Sequence, residues 1–108
     1  MRRRLVDAVL RGDKTATAGL YEPSEPLPEV GDRAWLLDFD DEPVAVLETT
    51  EVRVIRVVDV DLAFALDEGE GFETVADWRH AHESFWADRK IDDETLIVAE
   101  RFVLVERL

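Results

Sequence analysis

Gly12-Asp13-Lys14-Thr15-Ala16-Thr17-Ala18-Gly19-Leu20 is the stretch from which the fold can be read. Two β-branched hydroxyl residues alternate with alanines, so a short strand is expected, with Thr15 and Thr17 on one face. Upstream, Leu5, Ala8 and Val9 recur at helical spacing, which predicts an amphipathic helix over 3–11 stopped by Gly12. Downstream, residues 21–32 hold Pro23, Pro26 and Pro28 and then Gly31-Asp32, a loop. Residues 34–39 and 44–50 read as strands joined by the turn Asp40-Asp41-Glu42-Pro43, and a third β-branched strand is expected over 52–58, with a bulge near Ile55-Arg56.

A short helix over 60–66 and an acidic, glycine-rich connection, Asp67-Glu68-Gly69-Glu70-Gly71, come next. Thr74 with Asp77 is a capping pair for a second amphipathic helix, whose apolar stripe is Val75, Trp78, His82, Phe85 and Trp86. Residues 96–105 form a long strand with Leu96, Val98, Phe102 and Leu104 on one face. A helix, several strands, helices and a last strand make an α+β domain with a mostly antiparallel sheet. At 108 residues it is one domain, 1–108.

The chain carries 26 Asp+Glu against 13 Lys+Arg, for a net charge of −13. The acid crowds residues 21–51, which hold ten acidic residues and one basic; residues 1–20 are the one net-positive segment. Such a body repels a long polyanion, so long nucleic acid is not an expected partner, although a short RNA or single base near the basic segment is. With 46% apolar residues the chain can build a core, and with no Cys it has neither disulfides nor thiolate ligands. No apolar run approaches the ~20 residues that span a bilayer, so no membrane partner is expected. A cytoplasmic location and a monomer or homodimer are the expectations.

Several motifs lead nowhere. Gly12-Asp13-Lys14-Thr15 lacks the earlier glycine and the flanking elements of a phosphate-binding loop. His80 and His82 lie ~200° apart on a helix, so they do not grip a metal together. Neither a metal nor another cofactor is expected. The acidic connection lacks the spacing of a calcium loop, and its glycines could equally make it a plain connector or bring Glu70 into a cleft.

Taken together, the blocks Gly12-x-Lys14-Thr15-Ala16-Thr17-x-x-Leu20, Leu27-Pro28-x-Val30-Gly31-Asp32, Thr49-Thr50-x-Val52, Phe64-Ala65-x-x-Glu68-Gly69-Glu70-Gly71 and Trp78-Arg79-x-x-His82-x-x-Phe85-Trp86 resemble the bacterial ASCH domains in order and in extent. The resemblance implies a small PUA-like β-barrel of about five to six mostly antiparallel strands, with a cleft between barrel and helices. In one branch that cleft hydrolyses the amide of N4-acetylcytidine. By this resemblance Lys14 is the proton acceptor, Thr17 the nucleophile and Glu70 the proton donor, while Thr15, Glu68, Arg79 and His82 are candidates for binding the substrate. The branch commonly carries an arginine where this chain has Gly19.

The expected function is therefore a small amidohydrolase acting on an acylated pyrimidine nucleoside. The alternative is an RNA- or nucleotide-binding module, with a ribonuclease role attributed in the wider family. Lysine acts as a base near neutral pH only if burial brings its pKa down from ~10.4, and an ionised carboxylate beside it opposes that. The placement of Lys14, Thr17 and Glu70 is thus the decisive observation.

Overall fold

The computed structural model describes residues 2–108, with side chains from Leu5 onward. Helix α1 (Arg2–Arg11) ends where Gly12 takes the left-handed conformation (φ 84°) that its missing side chain permits. Strands β1 (Ala16–Leu20), β2 (Arg33–Leu37), β3 (Pro43–Arg56) and β4 (Leu96–Arg107) follow, with helices α2 (Leu62–Asp67) and α3 (Val75–Phe85) between β3 and β4. The four strands pair antiparallel in the order β1-β4-β3-β2, a curled half-barrel with helices beside it. The architecture is α+β, as the sequence indicates. No described helix is long and apolar enough to cross a membrane.

Among the described residues there are four strands rather than five to six. The sequence ends one strand at Thr50 and begins the next at Val52, yet β3 crosses Glu51 without ending. Thr49 pairs with Phe102 and Glu51 with Arg101, so Thr50 is the extra residue of a bulge. A bulge bends the strand and strengthens its twist while the ladder continues, which lets one long strand curl. The register slips there and again between Val46 and Leu47, not at Ile55-Arg56.

Strand β4 is covered on both sides. Phe102 is buried on the face read from the sequence, but Leu96 on that face is exposed, and Ile97 and Ala99 on the opposite face are buried more deeply. Those two join Ala16, Val57, Val60, Phe64, Ala65 and Trp78 in the main core, so α2 and α3 pack on the β1–β4 side of the sheet. The stripe of α3 is narrower than its periodicity suggests. Trp78 and His82 are buried, whereas Val75 and Phe85 are exposed. Thr74 caps α3 by accepting from the Asp77 amide at 3.0 Å, and the Asp77 carboxylate accepts from the Glu73 amide. Asp61 caps α2 in the same way through the Phe64 amide.

Candidate functional site

The segment before β1 and the connection after α2 are fastened to each other. The Thr15 amide donates to the Asp67 carbonyl at 2.7 Å, and the Thr15 carbonyl accepts from the Phe102 amide at 3.0 Å. Gly69 (φ 65°) lies so close to this segment that a Cβ there would stand 2.5 Å from the Asp13 carbonyl oxygen. Only glycine allows that approach. The 68–71 turn is thereby pressed against Lys14.

Lys14 is buried. Its ammonium donates to the Ala16 carbonyl at 2.8 Å and to the Glu68 carbonyl at 3.2 Å, and faces the Glu70 carboxylate at 3.8 Å. Glu68 caps the C-terminus of α2. Its carbonyl is one of the unpaired acceptors at the negative end of a helix, where a cation is favoured. Three oxygen acceptors thus surround the Lys14 nitrogen, two carbonyls and one carboxylate.

Glu68 also places its side chain inward, 1% exposed. One carboxyl oxygen accepts from the Trp78 indole at 2.7 Å and stands 3.6 Å from His82 Nε2. Burial pushes this carboxyl up to about 7, with the Glu70 charge adding to the rise; the Lys14 charge and the indole hydrogen bond oppose it. His82 stacks on Trp78 with ring centroids 4.1 Å apart, and its Nδ1 is 2.8 Å from the Trp78 carbonyl. A carbonyl only accepts, so Nδ1 carries the proton. Burial holds the His82 pKa below its ordinary value, so the ring is neutral and the lone pair of Nε2 faces Glu68.

Glu70, but not the more deeply buried Lys14, lines a cleft of about 720 Å³ between α1 and the 68–71 turn, together with Phe72, Phe85, Asp7, Arg11 and Asp13. Arg11 is paired with Asp13 at 3.0 Å. Among the described residues the cleft lining carries Asp7, Asp13 and Glu70 against Arg11. The basic character of the N-terminal segment rests on Arg2, Arg3 and Arg4, whose side chains lie outside the described residues.

Lys14, Glu68, Glu70 and His82 are brought together; Thr17 and Arg79 stand apart. The Thr17 hydroxyl makes no hydrogen bond to Lys14 or Glu70. Thr17 lines a separate cleft of about 420 Å³ with Thr49, Glu100 and Phe102, where Thr49 donates to Glu100 at 2.8 Å. Its closest recorded link to the pair is the Ala16 carbonyl held by Lys14, one peptide bond away. Arg79 donates to Asp93 at 2.8 Å and Glu83 at 3.3 Å, so its guanidinium is committed outside the cluster. Thr15 takes part through its backbone. The sequence reading gave Trp78 to the core alone, and its indole is also the donor to Glu68. The usable signal was a buried-type Trp ten residues after a Glu-Gly pair, since an indole N–H placed in a core needs an acceptor.

A curled antiparallel half-barrel, with helices beside it and a cleft between α1 and the 68–71 turn, defines a small PUA-like domain. The sequence profile of the ASCH domain matches residues 1–106, and the chain belongs to that family. A solved ASCH domain from Lactobacillus crispatus JV V101 is similar, at 29% identity and a TM-score of 0.86 over 95% of this chain and 71% of that one. Protein EF3133 from Enterococcus faecalis V583 is similar at 28% identity and a TM-score of 0.80, covering 98% of this chain and 72% of that one. No curated protein matches the sequence.

Proposed function

We propose that this ASCH domain is a small amidohydrolase that cleaves the acyl amide of a modified pyrimidine nucleoside, with N4-acetylcytidine as its model substrate, in the cleft beside α1. The observation that carries the reading is the Glu70 carboxylate, partly open to the cleft beside α1 and held 3.8 Å from the buried Lys14 ammonium. A carboxylate positioned at the edge of a cleft suits general acid–base chemistry.

The Lys14 ammonium fixes the Glu70 carboxylate at the cleft edge. From there Glu70 takes a proton from water as the oxygen attacks the acyl carbon, and returns it to the departing amine nitrogen. The carbon–nitrogen bond breaks to give the free nucleoside and a carboxylic acid. Direct attack by water needs no hydroxyl in the cluster, in keeping with Thr17 lining the neighbouring cleft. Phe72 and Phe85 offer faces for a planar base.

The test is incubation with N4-acetylcytidine, followed by chromatography for cytidine. Glu70→Gln and Lys14→Met should each lower kcat/KM by about 100-fold or more, given what a positioned acid–base group contributes. Thr17→Ala should retain turnover within a few-fold. Loss of turnover in Thr17→Ala would make the hydroxyl the nucleophile, and no turnover by the unmodified protein rejects the reaction.

A further inference from the structure

The Glu68 carboxyl has no part in the proton transfer just described, yet it is the most deeply buried acidic group in the core. Its two roles face opposite ways. Its carbonyl receives the Lys14 ammonium at 3.2 Å, and its carboxyl receives the Trp78 indole at 2.7 Å. One residue thus connects α3 to the segment before β1. We infer that Glu68 is a positioning residue: clamped by the Trp78 indole, its carboxyl fixes the 68–71 turn and so sets the separation of Lys14 and Glu70.

The surroundings leave the turn few other anchors. Gly69 and Gly71 both have positive φ (65° and 87°) and bring no side chains. The Gly69 amide bonds back to the Leu66 carbonyl at 3.0 Å, which closes the turn but does not aim it. Its close approach to Asp13 is a steric contact that limits how near the turn can come. Beyond the Glu68 amide's helix bond to the Phe64 carbonyl and the Lys14 bond to the Glu68 carbonyl, the directional bond that reaches this residue is the one from Trp78, a side chain with no exposed surface that stacks on His82. The groups facing the Glu68 carboxyl are Trp78 and His82 from α3, Lys14 from the segment before β1, and Glu70 from the turn itself. On the β4 side, Arg101 pairs with Asp67, one residue earlier, so it supports the end of α2 rather than the carboxyl.

The inference deepens the hydrolase reading, and its test has one arm that does not depend on it. Trp78→Phe keeps most of the ring and removes the N–H. Glu68→Leu removes the acceptor, and Glu68→Gln keeps an acceptor oxygen for the indole. The first readout is the 15N–1H signal of the Lys14 ammonium, which slow exchange at a buried site makes visible. It should persist in the unmodified protein and in Glu68→Gln, and be lost in Trp78→Phe and Glu68→Leu. The second readout is turnover of N4-acetylcytidine. In Trp78→Phe and Glu68→Leu kcat should fall about 10- to 100-fold, as misplacement of a reacting group by an ångström can cause, with KM within about three-fold. Glu68→Gln should stay within about five-fold of the unmodified protein and lose any inflection near pH 7 from its rate profile.

The inference is overturned if Trp78→Phe and Glu68→Leu, both folded, keep the Lys14 signal. It is also overturned if Glu68→Gln loses that signal as they do. If the unmodified protein hydrolyses no amide, the hydrolase reading fails and the Lys14 signal alone decides the positioning role.

Discussion

Replacing Glu68 by Gln should change how the stability of the fold depends on pH, and the size of the change follows from the burial of one carboxyl. Its pKa is about 7 in the folded chain against an ordinary 4.5. The folded state therefore holds a proton that the unfolded chain gives up, so this group's stabilising contribution is present at low pH and disappears as pH rises through 7. With those two values the contribution is on the order of 3 kcal/mol at pH 5 and near zero at pH 8. His82 has the opposite slope, because its pKa is lowered on folding and its contribution is lost as pH falls. The pH dependence of the unmodified protein is thus a sum of opposed parts, and only a double difference isolates Glu68.

Unfolding by urea would be followed at pH 5 and pH 8 for both proteins. Gln keeps an acceptor for the Trp78 indole, so the variant should fold. The stability of the unmodified protein relative to Glu68→Gln should be about 3 kcal/mol greater at pH 5 than at pH 8, corresponding to roughly 10 °C in the relative melting temperature. A double difference under about 0.5 kcal/mol would show that the carboxyl is ionised across this range and would refute the argument from desolvation.

Further expectations are simpler. Lys14→Met removes the charge that holds the Glu68 carboxyl down, so the midpoint of the Trp78 indole signal in a pH titration followed by NMR should move above 7; an unchanged midpoint would separate the two groups. Gly69→Ala meets both a positive φ and the Asp13 carbonyl, and should lower stability by about 2–4 kcal/mol in urea unfolding. Thr74→Ala removes the cap of α3 and should cost about 1 kcal/mol, with the ordering of α3 weakened in hydrogen exchange.

The order of elements was legible because helical and strand periodicities change at glycine, proline and acidic turns. The strand count was not, because a bulge at Thr50 carries one ladder past the point, Glu51, where the sequence reading separates two strands. The face of β4 was read in part. A strand covered on both sides loses simple alternation, so the deep burial of Ile97 and Ala99 could not be told from that of Phe102. At the site, the Gly-rich connection did bring Glu70 to Lys14, one of the uses its glycines allowed. Glu68 looked secondary because a carboxylate is ordinarily solvated. What buries it is an indole ten residues on and a lysine 54 residues back, and nothing in local spacing records that.

The places where the cations are held weigh against the alternative of polymer RNA binding. Among the described residues, Arg11, Arg33, Arg53, Arg56, Arg79, Arg89 and Arg101 all lie in ion pairs with carboxylates, and Lys14 faces Glu70. Arg107 donates to the Leu10 carbonyl, and Lys90 is in no recorded pair. A phosphate backbone would have to break existing pairs on a chain of charge −13 to gain its own. Among the described residues two cations, Lys90 and Arg107, are outside ion pairs, so with Arg2, Arg3 and Arg4 all replaced by Ala the logarithm of RNA affinity should fall with that of salt at a slope no steeper than about −1.4. Fluorescence anisotropy with a single-stranded RNA across 50–200 mM salt measures this (concentrations chosen as a range where counterion release is readily seen). A steeper slope that survives Arg2→Ala, Arg3→Ala and Arg4→Ala together would mean that the paired arginines exchange partners for phosphate, and that a polymer is the ligand.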